Sequence, residues 1–216
     1  IFAFFFFSPF SGNKLLDSSL DYTFREIEDN TTIELESYSV VIYPEVTGLA
    51  LAIQIDSSIF NPGARVENES GDTASSFIEV SGNLERVEFN RGNNADRFFT
   101  IYFSEYLPVG SDIGASTLLN ENNGYSISSS DKKKVYSEAR FIELKNKYGS
   151  NYEFLKKQFN LPNRVDFGFT VTFNDLSIAA EKEIPKELEV LSTEERIEII
   201  RTNGEITFAN LLIKVW

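Results

Sequence analysis

Cysteine, histidine and methionine are all missing from this 216-residue chain. The first absence removes disulfides, thiolate nucleophiles and cysteine-based zinc or iron–sulfur sites. The second removes the usual general base and the commonest transition-metal ligand, so neither a Ser-His-Asp nor a Cys-His system can be assembled within one chain. The third, together with a start at Ile1, leads to the expectation that an N-terminal piece has been removed. The phosphate-cradling patterns G-x-x-x-x-G-K and G-x-G-x-x-G do not occur either. Basic residues are outnumbered, 20 Lys and Arg against 33 Asp and Glu, for a net charge of -13. Such a body is repelled by polyphosphate and by anionic membrane surfaces, which argues against a nucleic-acid partner. A carboxylate pair for glycoside hydrolysis would have to face itself across a cleft, and no spacing in the sequence nominates one. The expectation is a chain that is not an enzyme and uses no cofactor and no metal.

Hydrophobic residues make up 42% and charged residues 25%, ordinary values for a globular protein. The apolar content is unevenly placed. Residues Ile1-Phe2-Ala3-Phe4-Phe5-Phe6-Phe7 precede Ser8-Pro9-Phe10 and a polar, acidic body. Four successive phenylalanines exposed to water would promote aggregation, so lipid, a partner subunit or the chain's own core must cover them. A spanning helix needs about 20 apolar residues, and this run is too short to span by itself. Three readings stay open: the end of a longer membrane or filament-core helix, which is preferred; an apolar first strand or core piece; and a secretory-signal remnant.

Beyond Ser11-Gly12-Asn13, Leu16, Leu20, Phe24 and Ile27 fall on one stripe of an amphipathic helix of about 15 residues that ends near Asp29-Asn30. From Ile33 the period becomes two. The sequence predicts a strand over 33–42 with a phase slip near Ser37, read as a possible bulge, and further strands over 49–55, 77–80, 84–89 and 98–103 between Gly/Asn turns. A long loop with one strand near Tyr125 is expected between Pro108 and Asp131. Short strands between such turns predict an antiparallel β-sandwich.

A helical insertion at about 135–160 interrupts the strands. Phe141, Leu144 and Tyr148 share a face, Gly149 marks a stop, and Ser150-Asn151-Tyr152-Glu153 has the spacing of a capping box for a second helix. The stretch from Lys132 to Asn160 holds eight basic and three acidic residues. That polarity can orient subunits head to tail or lie near anionic headgroups, although a solvated helix face is the preferred account of it. After it, Val165, Phe167, Phe169, Val171 and Phe173 alternate without fault, and Asn203-Gly204 predicts a hairpin in preference to a helix over 192–201.

Two sequons, Asn30-Thr31-Thr32 and Asn68-Glu69-Ser70, make Asn30 and Asn68 candidate N-glycosylation sites. The amide and carboxylate clusters at 68–72 and 93–96 do not match an EF-hand and read as loops.

The apolar start running into Ser-Pro-Phe-Ser-Gly and an acidic helix, Tyr148 to Leu161 leading to Asp166-Phe167-Gly168-Phe169, and the closing Leu211-Leu212-Ile213-Lys214-Val215-Trp216 together resemble archaeal surface proteins with type IV pilin-like (class III signal peptide) N-termini. The resemblance covers about half the chain, and its leading run is shorter than the pilin pattern of about 20 apolar residues. It implies a mainly β external head carried on an apolar helix. Residues 1–30 would form the membrane or filament core and 31–216 the sandwich head with its helical insertion. Phe4, Phe5, Phe6, Phe7, Phe10, Leu16, Leu20, Phe24 and Ile27 would be the assembly residues. The partners implied are further copies of the chain, with membrane lipid at the N-terminus. The expected role is a structural or adhesive subunit of an extracellular, pilus-like surface filament. The alternative is a membrane-anchored surface module that binds without polymerising.

Overall fold

The computed structural model describes residues 10–216 except 75, 82, 83 and 175. Among the described residues the chain is mainly β, with two helices. In order along the chain the elements are α1 (Phe10–Thr31), β1 (Thr32–Ile42), β2 (Ala50–Ile55), β3 (Gly63–Asn68), β4 (Thr73–Ala74), β5 (Ser76–Ser81), β6 (Leu84–Asn90), β7 (Phe98–Ser104), β8 (Thr117–Leu118), β9 (Tyr125–Ser137), α2 (Glu138–Gln158), β10 (Phe167–Thr172), β11 (Ser177–Ala180), β12 (Leu191–Ile200) and β13 (Ile206–Val215). Nine strands hydrogen-bond in the order β11-β10-β13-β12-β9-β1-β7-β3-β4, and four in the order β5-β6-β2-β8. The pairing is not antiparallel throughout, because β8 runs parallel to β2.

The residues cluster into two compact units whose boundary differs from the expected division at residue 30. One holds α1 through Thr32, Glu138–Ile199 and Thr207–Trp216; the other holds Ile33–Ser137 and Ile200–Ile206. The helical insertion and β13 from Thr207 group with α1.

In the first unit, α1 buries Ser19, Thr23, Ile27 and Thr31, which recur every fourth residue, while Leu16, Leu20 and Phe24 stay half-buried beside them. The centre of the helix face is thus set by small residues. The hydroxyls of Thr23 and Thr31 donate to the carbonyls of Ser19 and Ile27 at 2.7 and 2.6 Å, which satisfies them without an outside partner. Helix α2 lays Phe141, Leu144, Tyr148, Tyr152 and Leu155 inward. Phe141 meets Phe169 at 5.9 Å between ring centroids, and Phe159 meets Phe167 at 5.1 Å. Each buried ring of this kind contributes about 1.5–3 kcal/mol. The expected interruption of α2 falls at Asn151 (φ -150°, ψ 55°), not at Gly149. Ser150 donates back to the Asn146 carbonyl at 2.8 Å, so its side chain closes the preceding turn and does not cap a new helix.

In the second unit, one core cluster draws Val40 and Ile42 from β1, Val66 from β3, Ile101 and Phe103 from β7, Leu51 and Ile53 from β2, Ile78 from β5 and Val87 and Phe89 from β6. A second cluster contains Ile33, Leu35, Leu107, Val135 and Ile200. This explains the phase slip near Ser37: β1 pairs with β7 in unbroken register from Glu36↔Phe103 to Val41↔Phe98, so no bulge falls within that pairing. Side chains alternate faces along a strand, so Ile33 and Leu35 bury one face and Val40 and Ile42 the other. The strand changes which side is covered. The three lysines Lys132–Lys134, grouped with the helical insertion in the sequence reading, lie exposed on β9.

Candidate interaction site

Where β1 changes its covered face, Glu36 lies on the same face as Val40 yet is only 4% exposed. A buried carboxylate requires donors, and the loop between β2 and β3 supplies them. Glu36 Oε2 accepts from the Ser57 hydroxyl at 2.9 Å and the Ser58 N–H at 3.1 Å, and Oε1 accepts from the Ser58 hydroxyl. The Tyr38 hydroxyl lies 3.2 Å from Oε2 and 3.1 Å from the Asp56 carbonyl. A second buried carboxylate, Glu85 of β6, accepts the Ser57 N–H at 2.8 Å. Burial alone would raise the Glu36 pKa, but the hydrogen bonds from Ser58, Ser57 and Tyr38 outweigh it and hold the group below its ordinary value. Burial, reinforced by the Glu36 charge, pushes the Tyr38 phenol up to about 12.

Lys132 donates to the Ser58 hydroxyl at 2.8 Å, a contact that resembles a Ser-Lys nucleophile pair. Its electrostatics point the other way. The hydrogen bond from Lys132 to Glu34, at 2.9 Å, leads the causes that raise its pKa, which favours the charged ammonium. The cluster is a set of anchors.

Those anchors hold a loop in a definite shape. Ile59 enters the main core of the unit. Asn61 takes a left-handed backbone (φ 48°), a conformation that Asn tolerates better than most residues. Pro62 and Gly63 are buried, and a Cβ on Gly63 would stand 1.8 Å from the Leu107 carbonyl oxygen, so only glycine fits there. The result is that Phe60 projects 87% exposed from a tethered loop. An aromatic side chain carried on a tethered backbone leaves less of the loop to order on binding, which suits an interface anchor.

The residues singled out from the sequence are distributed as follows. Phe4, Phe5, Phe6 and Phe7 lie outside the described residues. Phe10 begins α1. Leu16, Leu20 and Phe24 are half-buried, and Ile27, at 0% exposure, packs within its own chain and presents no surface to a second copy. Asn30 is in the last turn of α1, where its amide donates to the Glu26 carbonyl at 2.7 Å. Asn68 closes β3, and its side-chain oxygen accepts from the N–H groups of Ser70 and Asp72 at 3.0 and 2.9 Å. Asn93 folds its turn similarly, accepting from Ala95 and Asp96 at 2.7 and 3.1 Å. Among the described residues no three acidic side chains gather as a metal site would require, and no helix is long and apolar enough to cross a membrane. The Phe60 loop escaped the sequence reading, although Ile59-Phe60-Asn61-Pro62-Gly63 carries a large aromatic directly against a turn signal.

A second polar assembly lies in the first unit. Lys156, 4% exposed, donates to the Asn163 carbonyl at 2.7 Å and to Asp166 Oδ1 at 3.0 Å, and the Tyr152 hydroxyl donates to the same carboxylate oxygen at 2.8 Å. Burial opposes ionisation of Asp166, but the bonds from Tyr152 and Lys156 prevail and lower its pKa. Burial raises the pKa values of Tyr148 and Tyr152 well above the ordinary phenol. These bonds tie α2 to the start of β10, which makes the assembly a brace. Comparison with protein-family models, with curated proteins and with solved structures finds no match to this chain.

Proposed function

We propose that the chain is a structural or adhesive subunit of an extracellular, pilus-like surface assembly of an archaeon. The observation that carries this reading is the junction at the N-terminus: the apolar run ending at Phe10 leads directly into α1, whose Leu16, Leu20 and Phe24 are left half-buried along one flank. A helix with a partly covered apolar flank is suited to pack against neighbours of its kind. In this reading the second unit is a β-sandwich facing solvent, a proposal supported by the single core shared between β1, β3, β7 and β2, β5, β6. The chain acts by assembly, and its carboxylates serve as anchors and not as acid–base catalysts.

The second reading, a membrane-anchored module that binds a partner without polymerising, is favoured by Phe60, which stands ready as a contact on a tethered loop. Electron microscopy of native material separates the two. Regular filaments containing the chain support the first, and monodisperse detergent-solubilised protein supports the second and removes the first.

A further inference from the structure

The nine-stranded order ends on β11, so one flank of β11 has no neighbouring strand among the described residues. Which groups face that flank follows from the register. The Phe173 N–H donates to the Leu176 carbonyl at 2.7 Å, and the partners continue as Thr172↔Ser177, Val171↔Ile178, Thr170↔Ala179 and Phe169↔Ala180. Bonded and non-bonded pairs alternate along an antiparallel ladder, so Ile178 and Ala180 bond to β10 while the N–H and C=O of Ala179 point outward. The next bonded pair would be Phe167 and Lys182. There the Tyr148 hydroxyl of α2 intervenes, donating to the Phe167 carbonyl at 2.6 Å and accepting from the Lys182 N–H. Helix and strand edge are thereby pinned together at one end.

Between them runs a groove of about 380 Å³, lined by Lys145, Gly149 and Tyr152 of α2 and by Ala179, Ala180 and Lys182 on the strand side. That volume falls in the range of about 300–1,000 Å³ usual for ligand sites. Nothing stands within 4 Å of the place a Gly149 Cβ would take, so the helix wall is open there. A groove with a free strand edge on one wall and a helix on the other takes an extended chain: the outward main-chain groups bond a new strand, and its alternate side chains enter the groove. Lys145 and Lys182 are both exposed, and the Lys182 ammonium stands 3.2 Å from the centroid of the Tyr152 ring. Glu181, also in the lining, is already bound by Lys214 at 2.9 Å and by the Thr170 hydroxyl at 3.1 Å. Glu153 lies 4.0 Å from Lys182 and is 77% exposed, too solvated to neutralise it. The positive charge is local, in a unit that is net acidic, so it selects among extended segments while the strand edge supplies the main attraction.

We propose that the groove between α2 and β11 binds an extended acidic segment of another protein, which adds as a further strand at Ala179 and directs carboxylates at Lys145 and Lys182. Antiparallel pairing of two β11 edges would keep both α2 helices on one side of the seam and crowd their lysines together there, which disfavours a second copy of this chain as the occupant. The inference goes beyond the assembly reading and does not depend on it.

The test titrates the full chain into a short fluorescein-labelled peptide alternating valine and glutamate and follows fluorescence anisotropy. Saturable binding is expected, weakened about tenfold or more when the peptide's backbone nitrogens are methylated, the scale of lost main-chain hydrogen bonds. A valine–lysine peptide should bind about fivefold more weakly, and Lys145→Glu combined with Lys182→Glu should reverse that order. Gly149→Gln fills the open helix wall with a better helix former, and Ala179→Pro removes an N–H that β10 does not use. Each is expected to lose the binding with thermal unfolding unchanged; should Ala179→Pro fail to fold, Gly149→Gln decides. A wild type that binds neither peptide, a methylated peptide that binds as well as its parent, equal binding of both charge patterns, or binding retained by Gly149→Gln overturns the proposal. So does self-association in sedimentation velocity that Gly149→Gln abolishes, which assigns the groove to a second copy.

Discussion

Ile59 and Phe60 are neighbours in sequence and opposites in exposure, 9% and 87%. The contrast follows from how their loop is tied down: Ile59 is drawn into the core of its unit, and Glu36 and Glu85 grip Ser57 and Ser58 just before it. Substituting each in turn separates the two roles. Ile59→Ala is expected to cost about 2–4 kcal/mol of unfolding free energy through loss of buried methylenes. Phe60→Ala should stay within about 0.5 kcal/mol, as exposed positions do. Urea titrations showing equal losses for both would mean that Phe60 is packed in solution.

Glu36 gives the loop a pH dependence of definite sign. Its folded-state pKa is depressed, so its contribution is complete above the unfolded-state value and is lost as pH falls through the folded one. As pH falls below the ordinary glutamate value of 4.5, wild-type stability should decline, and Glu36→Gln should flatten that decline. At neutral pH the substitution is expected to cost about 2 kcal/mol, the scale of hydrogen bonds to a charged acceptor. Denaturant midpoints measured across the range decide it, and parallel profiles for the two proteins would refute the assignment.

Gly63 is a position where only hydrogen fits. Gly63→Ala drives a Cβ to within 1.8 Å of the Leu107 carbonyl oxygen, and backbone must move to accommodate it. A loss of about 3 kcal/mol or more is expected. Gly71→Ala provides the comparison, since its space is open and only the left-handed backbone (φ +80°) resists; about 1–2 kcal/mol is expected there. Melting temperatures that rank the two in reverse would show that the Gly63 approach relaxes freely.

The brace at Lys156 is sensitive to which partner is removed. Asp166→Ala leaves a buried ammonium with the Asn163 carbonyl as its acceptor, and is expected to cost about 1–3 kcal/mol, moderated because the Asp166 side chain is 37% exposed. Lys156→Met removes the charge while keeping the stem, and should cost less. Chemical denaturation of both variants tests the order.

Should the chain mature in a glycosylating compartment, the two sequons are expected to differ in use. Asn30 is tied into α1 through its amide, whereas Asn68 leads into the exposed Glu69-Ser70-Gly71 tip between β3 and β4. Intact mass of secreted protein should report a glycan that Asn68→Gln removes and Asn30→Gln does not. The opposite pattern would show α1 unwound at its end when the glycan is attached.

Much of the local structure is legible in the residues. The alternation from Val165 to Phe173 becomes β10 and its flanks, all five side chains buried. Asn203-Gly204 becomes the turn between β12 and β13, where Gly204 takes φ +83° and its N–H donates to the Arg201 carbonyl at 2.9 Å. The two-helix reading of 135–160 survives as one helix broken at Asn151. What misled was any pattern whose explanation lay on another element. The slip at Ser37 looked like an irregular backbone because the two cores that cover β1 on opposite faces are built from strands far along the chain. The lysines 132–134 were counted with the basic helical segment because they adjoin it in sequence, while hydrogen bonding carries β9 up to Ser137.

The sequence by itself determined the absence of disulfide, thiolate and imidazole chemistry within the chain, the alternation of the long strands and the turn chemistry, because these depend on side-chain identity and on neighbours within a few residues. Tertiary structure alone decided that Glu36 is an anchor, that Gly63 must be glycine, that Ile27 is interior and that Phe60 is not. Each of those outcomes depends on what a distant segment places beside the residue: Ser57 and Ser58 for the carboxylate, Leu107 for the glycine, and open solvent for the phenyl ring.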